Sequence, residues 1–285
     1  MQKPTTIHAA QKAAAQALLN NGIENADFDA AQLTAHALGI SHDRLPLMKT
    51  EPMENSAQEK LQTLMNERIS GRPLQYILGE WEFYSLPFFV KEGVLIPRPE
   101  TELLVDCALE YIKENNVSNI VDLCCGSGCI AVVVAKNAPN TQVEAIDFYE
   151  TPCEVTVRNI GQCACDNVTV TKADVLKGAK NRTPDLILSN PPYITARDMQ
   201  TLQLEVTHEP QTALFGGDDG LIFYRAIADK WVPSLKKGGA VMLEVGINQA
   251  TDVAEMLENK ALITKIINDL SGIPRVVIGQ KNLEV

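Results

Sequence analysis

Residues 119–131 read Asn119-Ile120-Val121-Asp122-Leu123-Cys124-Cys125-Gly126-Ser127-Gly128-Cys129-Ile130-Ala131. An apolar, β-branched run ends near an acid, breaks at two glycines and resumes as an apolar segment. That succession predicts a strand, a tight turn and the first turn of a helix. The same rhythm continues downstream. Strands are expected over 119–124, 143–147, 168–171, 185–189 and 240–245, and helices near 101–114, 128–137, 150–160, 219–234 and 248–259. Such alternation implies a parallel sheet with helices on both faces. Two late apolar runs, 263–267 and 275–278, flank Ser271-Gly272-Ile273-Pro274. That connection is too short for a helical crossover, so the two should pair antiparallel. The expected fold class is α/β, a Rossmann-like doubly wound sheet with one antiparallel strand, preceded by a small helical domain.

The helical domain is read upstream, over residues 1–78. One apolar face runs through Ala10, Ala14, Leu18 and Leu19, and a second helix from Asp27 or Asp29 carries Ala30, Leu33, Ala37 and Leu38 to Gly39. A third opens with Ser56-x-x-Glu59, the spacing of a capping box, and carries Leu61, Leu64 and Met65 to a stop at Gly71-Arg72-Pro73. No catalytic constellation lies here, so packing or partner recognition is its expected role. Residues 79–98 are aromatic and β-branched, punctuated by Pro87 and Gly93, and predict a β-hairpin linker. The sheet domain then occupies 99–285.

With 285 residues, 45% of them hydrophobic and 21% charged, the chain suits two folded domains. Its 36 acidic against 25 basic residues leave a net charge of −11. No basic run exceeds Lys236-Lys237, which disfavours direct nucleic-acid binding. Met1-Gln2-Lys3-Pro4-Thr5-Thr6 lacks the apolar core of a signal peptide, and no run approaches the roughly 18 apolar residues of a membrane span. Cys124-Cys125-x3-Cys129 and Cys163-x-Cys165 lack zinc spacing, and the four histidines are scattered. A cytoplasmic protein with reduced thiols, no metal and no membrane contact is expected.

Ligands of such sheets bind beyond the carboxyl ends of the strands, at the topological switch point. Gly126 and Gly128 let the backbone approach a ligand, and the helix N-terminus after them favours an anionic group. Gly126-Ser127-Gly128-x-x-Ala131 with Asp147 after the second strand also fits a dinucleotide fingerprint, so the loop alone fits NAD about as well as S-adenosylmethionine. Two further acids favour the latter. Asp122, at the strand's edge, can engage the amino group of a methionine moiety, and Asp174 can sit beside the adenine. Asp147 is placed to take two ribose hydroxyls.

Asn190-Pro191-Pro192-Tyr193 follows the apolar run Asp185–Ser189 and therefore lies beside that mouth. An amide nitrogen or an exocyclic amine is a poor nucleophile because its lone pair is delocalised. Pro191 has a fixed φ and no N–H, so a rigid turn can offer the Asn190 side-chain oxygen and the Pro191 carbonyl to both N–H bonds of an –NH2 group. Catalysis is then positioning and electrostatics. Tyr193 can pack on the target and tolerate the nearby cation.

These motifs resemble the protein glutamine N5-methyltransferases that act on class-I peptide chain release factors, the HemK/PrmC family. The resemblance spans nearly the whole chain: Arg72-Pro73-Leu74-Gln75-Tyr76-Ile77-Leu78-Gly79, Val94-Leu95-Ile96-Pro97-Arg98-Pro99-Glu100-Thr101-Glu102, Gly126–Ala131, Asn190-Pro191-Pro192-Tyr193-Ile194, Glu209-Pro210 with Ala213-Leu214, Gly217–Leu221, and Arg275-Val276-Val277-x-Gly279. It implies a class I S-adenosylmethionine-dependent methyltransferase whose N-terminal helices grip the release factor. The cofactor, converted to S-adenosylhomocysteine, would be held by Cys124, Cys125, Gly126, Ser127, Gly128, Asp147, Asp174, Val175 and Asn190. The target glutamine of a Gly-Gly-Gln loop would lie against Asn190 to Tyr193. The chain departs from the family at Cys124, usually glycine, at Cys125, often threonine, and at Phe148-Tyr149, usually a small hydroxylic residue first. A Cβ at position 124 restricts positive φ and close approach. A nucleic-acid amino-group methyltransferase and a non-catalytic nucleotide-binding module are the competing readings.

Overall fold

The computed structural model describes residues 5–282; Met1-Gln2-Lys3-Pro4, part of the segment read for a leader, lie outside them. The chain forms two compact units, Met1–Glu80 with Leu204–His208, and Trp81–Gln203 with Glu209–Val285.

The first unit holds α1 (Ile7–Asn20), α2 (Ala26–Leu38), α3 (Asn55–Ile69) and the short α4 (Leu74–Leu78). Thr6 caps α1 by accepting from the Ala9 N–H, and Gly39 ends α2 at φ 67°, where a Cβ is disfavoured. The buried face of α1 is Ile7, Ala14, Ala15 and Leu18. Leu19, expected inside, is exposed, and Ala10 only half-buried. The capping box expected at Ser56 does not form. Helix α3 starts earlier, with Glu54 as N-cap and no side-chain cap. Buried Met53 donates its N–H to Thr5, and its carbonyl accepts from the Gln58 side chain, which pulls the first turn forward. Arg68 is buried and donates to Asp29 at 2.6 Å and to Glu205 at 2.5 Å, tying the 204–208 segment into this unit.

In the second unit, β1 (Glu80–Phe83) and β2 (Leu86–Phe89) make the two-stranded sheet. The hairpin is shorter than the 79–98 expected. It turns at Tyr84-Ser85, both at positive φ as a type I′ turn requires, and residues 90–98 are irregular. Phe83 and Phe88 meet edge-to-face and are buried in this unit's core.

Then follow α5 (Glu102–Glu114), β3 (Asn119–Leu123), α6 (Cys129–Asn137), β4 (Gln142–Asp147), α7 (Glu150–Cys163), β5 (Val168–Lys172), β6 (Leu186–Ser189), the single-turn α8 (Gln211–Leu214), α9 (Ile222–Lys230), β7 (Ala240–Glu244), α10 (Ala250–Glu258), β8 (Leu262–Asn268) and β9 (Pro274–Lys281). The seven-stranded sheet has the order β5-β4-β3-β6-β7-β9-β8. Its pairs are parallel except β7–β9 and β8–β9, so β9 alone runs against the rest. Side chains alternate between two apolar layers. Ile120, Val143, Leu186 and Ala240 join the layer of α5 and α6, whereas Val121, Ile146, Ile187 and Val241 join that of α9 and α10.

Candidate active site

Strand register brings the site together. Leu123 pairs with Ile146 on one side and with Ser189 on the other, and Ser189 pairs in turn with Leu243. The next residues, Cys124, Asp147, Asn190 and Glu244, therefore stand in one row at the carboxyl ends of β3, β4, β6 and β7. Ser189 Oγ donates to the Leu123 carbonyl at 2.7 Å and locks two of these ends.

A cavity of about 240 Å³ opens above that row. Of the residues singled out from sequence, Cys124, Cys125, Gly126, Ser127, Asp147, Asp174, Val175, Asn190 and Pro192 line it. Asp122, Gly128, Pro191 and Tyr193 do not.

Alternation along β3 explains Asp122. It shares the side of Ile120, beneath α6, and is fully buried. Its Oδ2 accepts the Ala131 N–H at 3.1 Å in the first turn of α6, while Oδ1 has no partner among the described residues. Burial pushes its carboxyl up to about 8, against the pull of that N–H. The acid expected to face the cofactor's amino group thus lies under the loop. Gly128, at φ 76°, is likewise below the wall, where a Cβ would come within 2.5 Å of Thr156 Cγ2.

The 124–128 loop is held from α7. Thr156 donates to the Gly126 carbonyl at 3.1 Å, and Asn159 to the Ser127 carbonyl at 2.9 Å. Cys124 takes φ 59°, the left-handed conformation that glycine adopts freely. Asp147 accepts the Gly126 N–H and the Tyr149 N–H, one on each oxygen, both at 3.1 Å. Burial raises its carboxyl, with those N–H groups pulling it back. Each oxygen retains a second lone pair. Phe148 and Tyr149 form an exposed, T-shaped pair on the wall. Asp174 accepts the Leu176 N–H, and the Val175 carbonyl accepts from Trp231 Nε1 at 2.8 Å.

Asn190 donates from Nδ2 to Thr101 Oγ1 at 3.1 Å. Pro191 is buried behind it, so the second acceptor expected there is not on this wall. Half-buried Tyr193 packs against the core instead, crowded by glycine backbone. A Cβ on Gly216 would fall 2.6 Å from the Pro192 carbonyl, and one on Gly246 2.9 Å from the Tyr193 ring. Gln249 clamps the turn, donating to the Tyr193 carbonyl and accepting from the Gly246 N–H, both at 3.0 Å.

Sequence reasoning assigned no chemistry to several wall residues: Gly93, Val94, Leu95, Pro97, Arg98 and Thr101. Their segment is pinned by buried Glu209, which accepts the Ile96 N–H at 3.0 Å and pairs with Arg98. Val94 to Thr101 and Glu209 belong to stretches that carry the family resemblance, the one signal available for them.

Comparison with known proteins decides the family. A Fusobacterium nucleatum subsp. nucleatum release factor glutamine methyltransferase is 36% identical over 271 residues, covering 94% of this chain and 77% of the relative. Those of Thermodesulfovibrio yellowstonii and Clostridium botulinum are each 38% identical, covering 89% and 85% of this chain and 92% and 88% of theirs. The chain belongs to the release factor glutamine methyltransferase family. The PrmC N-terminal domain matches residues 9–79 of this methyltransferase and the methyltransferase small domain residues 100–217. Among solved structures, a methyltransferase from Pyrococcus furiosus gives a TM-score of 0.51 at 17% identity, over 79% of this chain and 99% of that one. The hMettl16 catalytic domain, solved with a MAT2A 3′UTR hairpin, gives 0.57 at 13%, over 81% and 82%. Likeness at that identity concerns the fold alone, which is that of a class I methyltransferase. No helix of the described residues is long and apolar enough to cross a membrane.

Proposed function

We propose that this enzyme transfers a methyl group from S-adenosylmethionine to the side-chain amide nitrogen, N5, of the glutamine in the Gly-Gly-Gln loop of class-I peptide chain release factors, in the cytoplasm, supporting translation termination. The observation that carries this reading is the Asn190 amide, anchored through its nitrogen on Thr101 beside the 124–128 loop.

The donor set suits the cofactor. Asp147 offers lone pairs to ribose hydroxyls, Cys124 to Ser127 present a close backbone, and Asp174 with Val175 and the Phe148–Tyr149 pair flank an aromatic base. A Cβ at Gly128 would collide with Thr156 and push that cradle out of shape. When bound, S-adenosylmethionine supplies a methyl group on a positively charged sulfur.

What the chain contributes is orientation. With Nδ2 engaged by Thr101, Asn190 Oδ1 is the group left to accept an N–H of the target amide, which turns that nitrogen's lone pair towards the methyl group. The bound cofactor would give up its methyl carbon to that nitrogen with loss of the carbon–sulfur bond, and the methylated nitrogen would release its proton to solvent. An acceptor site takes a neutral –NH2 and repels a carboxylate. The N-terminal helical unit grips the release factor in this reading, and the net charge of −11 speeds encounter with a basic partner at low salt.

Labelled S-adenosylmethionine incubated with a class-I release factor should place label on the loop glutamine alone. Gln→Glu in that loop should abolish transfer, and Asn190→Ala should lower turnover by about 10²-fold or more. Label elsewhere on the factor, or persisting after Gln→Glu, would show the substrate assignment to be wrong. Transfer to a nucleic-acid amine with none to the factor would favour the competing enzyme.

A further inference from the structure

Two successive prolines leave a turn without an N–H at either position. The Asn190-Pro191-Pro192-Tyr193 turn therefore cannot be fastened at its centre through donors of its own. It must be held by neighbours that donate to its carbonyls and leave it no room to move.

Gln249, directly before α10, supplies such a donor and is buried. Its Nε2 donates to the Tyr193 carbonyl at 3.0 Å and to the Gly220 carbonyl at 3.4 Å, and its Oε1 accepts the Gly246 N–H at 3.0 Å. A backbone donor on one side and two carbonyls on the other leave this amide a single orientation. The backbone of Gln249 is tied as well. Its N–H donates to the Gly246 carbonyl at 3.2 Å, and its carbonyl accepts the Val253 N–H at 3.0 Å in the first turn of α10. One side chain thus joins the Asn-Pro-Pro-Tyr turn, the 216–220 loop and the segment after β7. The packing leaves space for little else. A Cβ on Gly220 would fall 2.5 Å from Gln249 Nε2, and one on Gly246 2.7 Å from its Oε1. Gln249 itself stays off the cavity wall.

We propose that Gln249 is a positioning residue for methyl transfer: it fixes the Asn-Pro-Pro-Tyr turn, and with it the place from which Asn190 meets the target amide, without touching substrate or cofactor. This rests on the methyl transfer proposed above. Thr101 holds the tip of the Asn190 side chain, whereas Gln249 holds the backbone that carries it. A misplacement of about 1 Å at such a site costs about 10²-fold in rate.

The test compares Gln249→Met, Gln249→Glu, Gly246→Ala and Asn190→Ala, each assayed below its first unfolding transition. Cofactor affinity is measured by calorimetry, kcat and KM on a class-I release factor, and the Asn190 side-chain NH2 signals by nuclear magnetic resonance. Gln249→Met, of similar length but without the hydrogen bonds, should lower kcat by about 10²-fold while KM and cofactor affinity stay within about threefold. Gly246→Ala should show the same split, because its Cβ displaces the Gln249 oxygen while leaving the glutamine in place. Gln249→Glu keeps an acceptor for the Gly246 N–H and regains a donor only when protonated. Its kcat relative to the parent at the same pH should therefore rise as pH falls. Adding Gln249→Met to Asn190→Ala should cost nothing more, because the residue being positioned is already gone. The Asn190 NH2 signals should shift in Gln249→Met. A Gln249→Met or Gly246→Ala kcat within about twofold of the parent, or a cofactor affinity that falls as far as kcat, would overturn the proposal. So would a Gln249→Glu ratio that is flat with pH, losses that multiply in the double variant, or unchanged Asn190 signals. If the parent enzyme leaves the loop glutamine unmodified, the substrate reading fails, and the Asn190 signals alone then decide the positioning.

Discussion

Asp122 has no exposed surface and one carboxyl oxygen without a partner among the described residues. Its pKa lies well above the ordinary 3.8, at about 8. Between those values the folded chain binds a proton that the unfolded chain has lost, so the group lowers stability as pH rises through that window and is most favourable below it. The Asp122→Asn variant should lack this dependence. Its stability relative to the parent should rise by up to about 1.4 kcal/mol for each pH unit across the window. Parallel curves of unfolding free energy against pH would mean that Asp122 is ionised in the fold. At Cys124, the left-handed backbone disfavours any Cβ by roughly 1–2 kcal/mol. The Cys124→Gly variant should therefore bind S-adenosylmethionine as tightly as the parent or more so. A marked loss by calorimetry would mean that the Cys124 side chain itself contacts the cofactor. That 124 takes positive φ was foreseeable from the glycine that the resembled family usually has there. That Asp122 points under α6 follows from strand parity with Ile120, yet parity cannot say which face carries the ligand.

Helix α7 is the element that carries the cofactor loop. Asn159 accepts the Phe89 N–H at 2.8 Å and donates to the Phe89 and Ser127 carbonyls at 3.1 and 2.9 Å, all without exposure of its side chain. The Asn159→Ala variant leaves the buried Ser127 carbonyl unpaired, at about 1–3 kcal/mol, and the half-buried Phe89 groups without their partner. It should lower the melting temperature and weaken cofactor binding together. A lower melting temperature with unchanged affinity would show that the loop keeps its shape without α7. The strands and long helices of this unit were legible because their apolar periods are strong. The hairpin turn was not, since Tyr84-Ser85 carries none of the Asn-Gly or Gly-Gly chemistry that marks a type I′ turn. Nor was the start of α3, where a local capping signal at Ser56 yielded to the tertiary tether of Met53.

At the scale of the whole molecule, Arg68 joins parts of the chain 137 residues apart. Its partner Asp29 is buried with it, and burial raises the Asp29 carboxyl while Arg68 pulls it back. Breaking such a pair by removing one partner costs about 3–5 kcal/mol. The Arg68→Met variant should thus melt its helical unit early, seen as a separate transition in calorimetry, and Arg68→Met with Asp29→Asn should recover much of the loss. A single unshifted transition would show that the pair is dispensable. The sequence by itself determined the α/β class, the lone antiparallel strand and the glycine loop with Asp147 and Asn190 at strand ends. It could do so because periodicity, turn chemistry and short motifs are local properties. Only the tertiary structure decided which of those residues face the cavity, that Thr101 meets Asn190, and that residues 204–208 join the helical unit. These depend on strand order, register and contacts between residues distant in the chain, which no local pattern encodes.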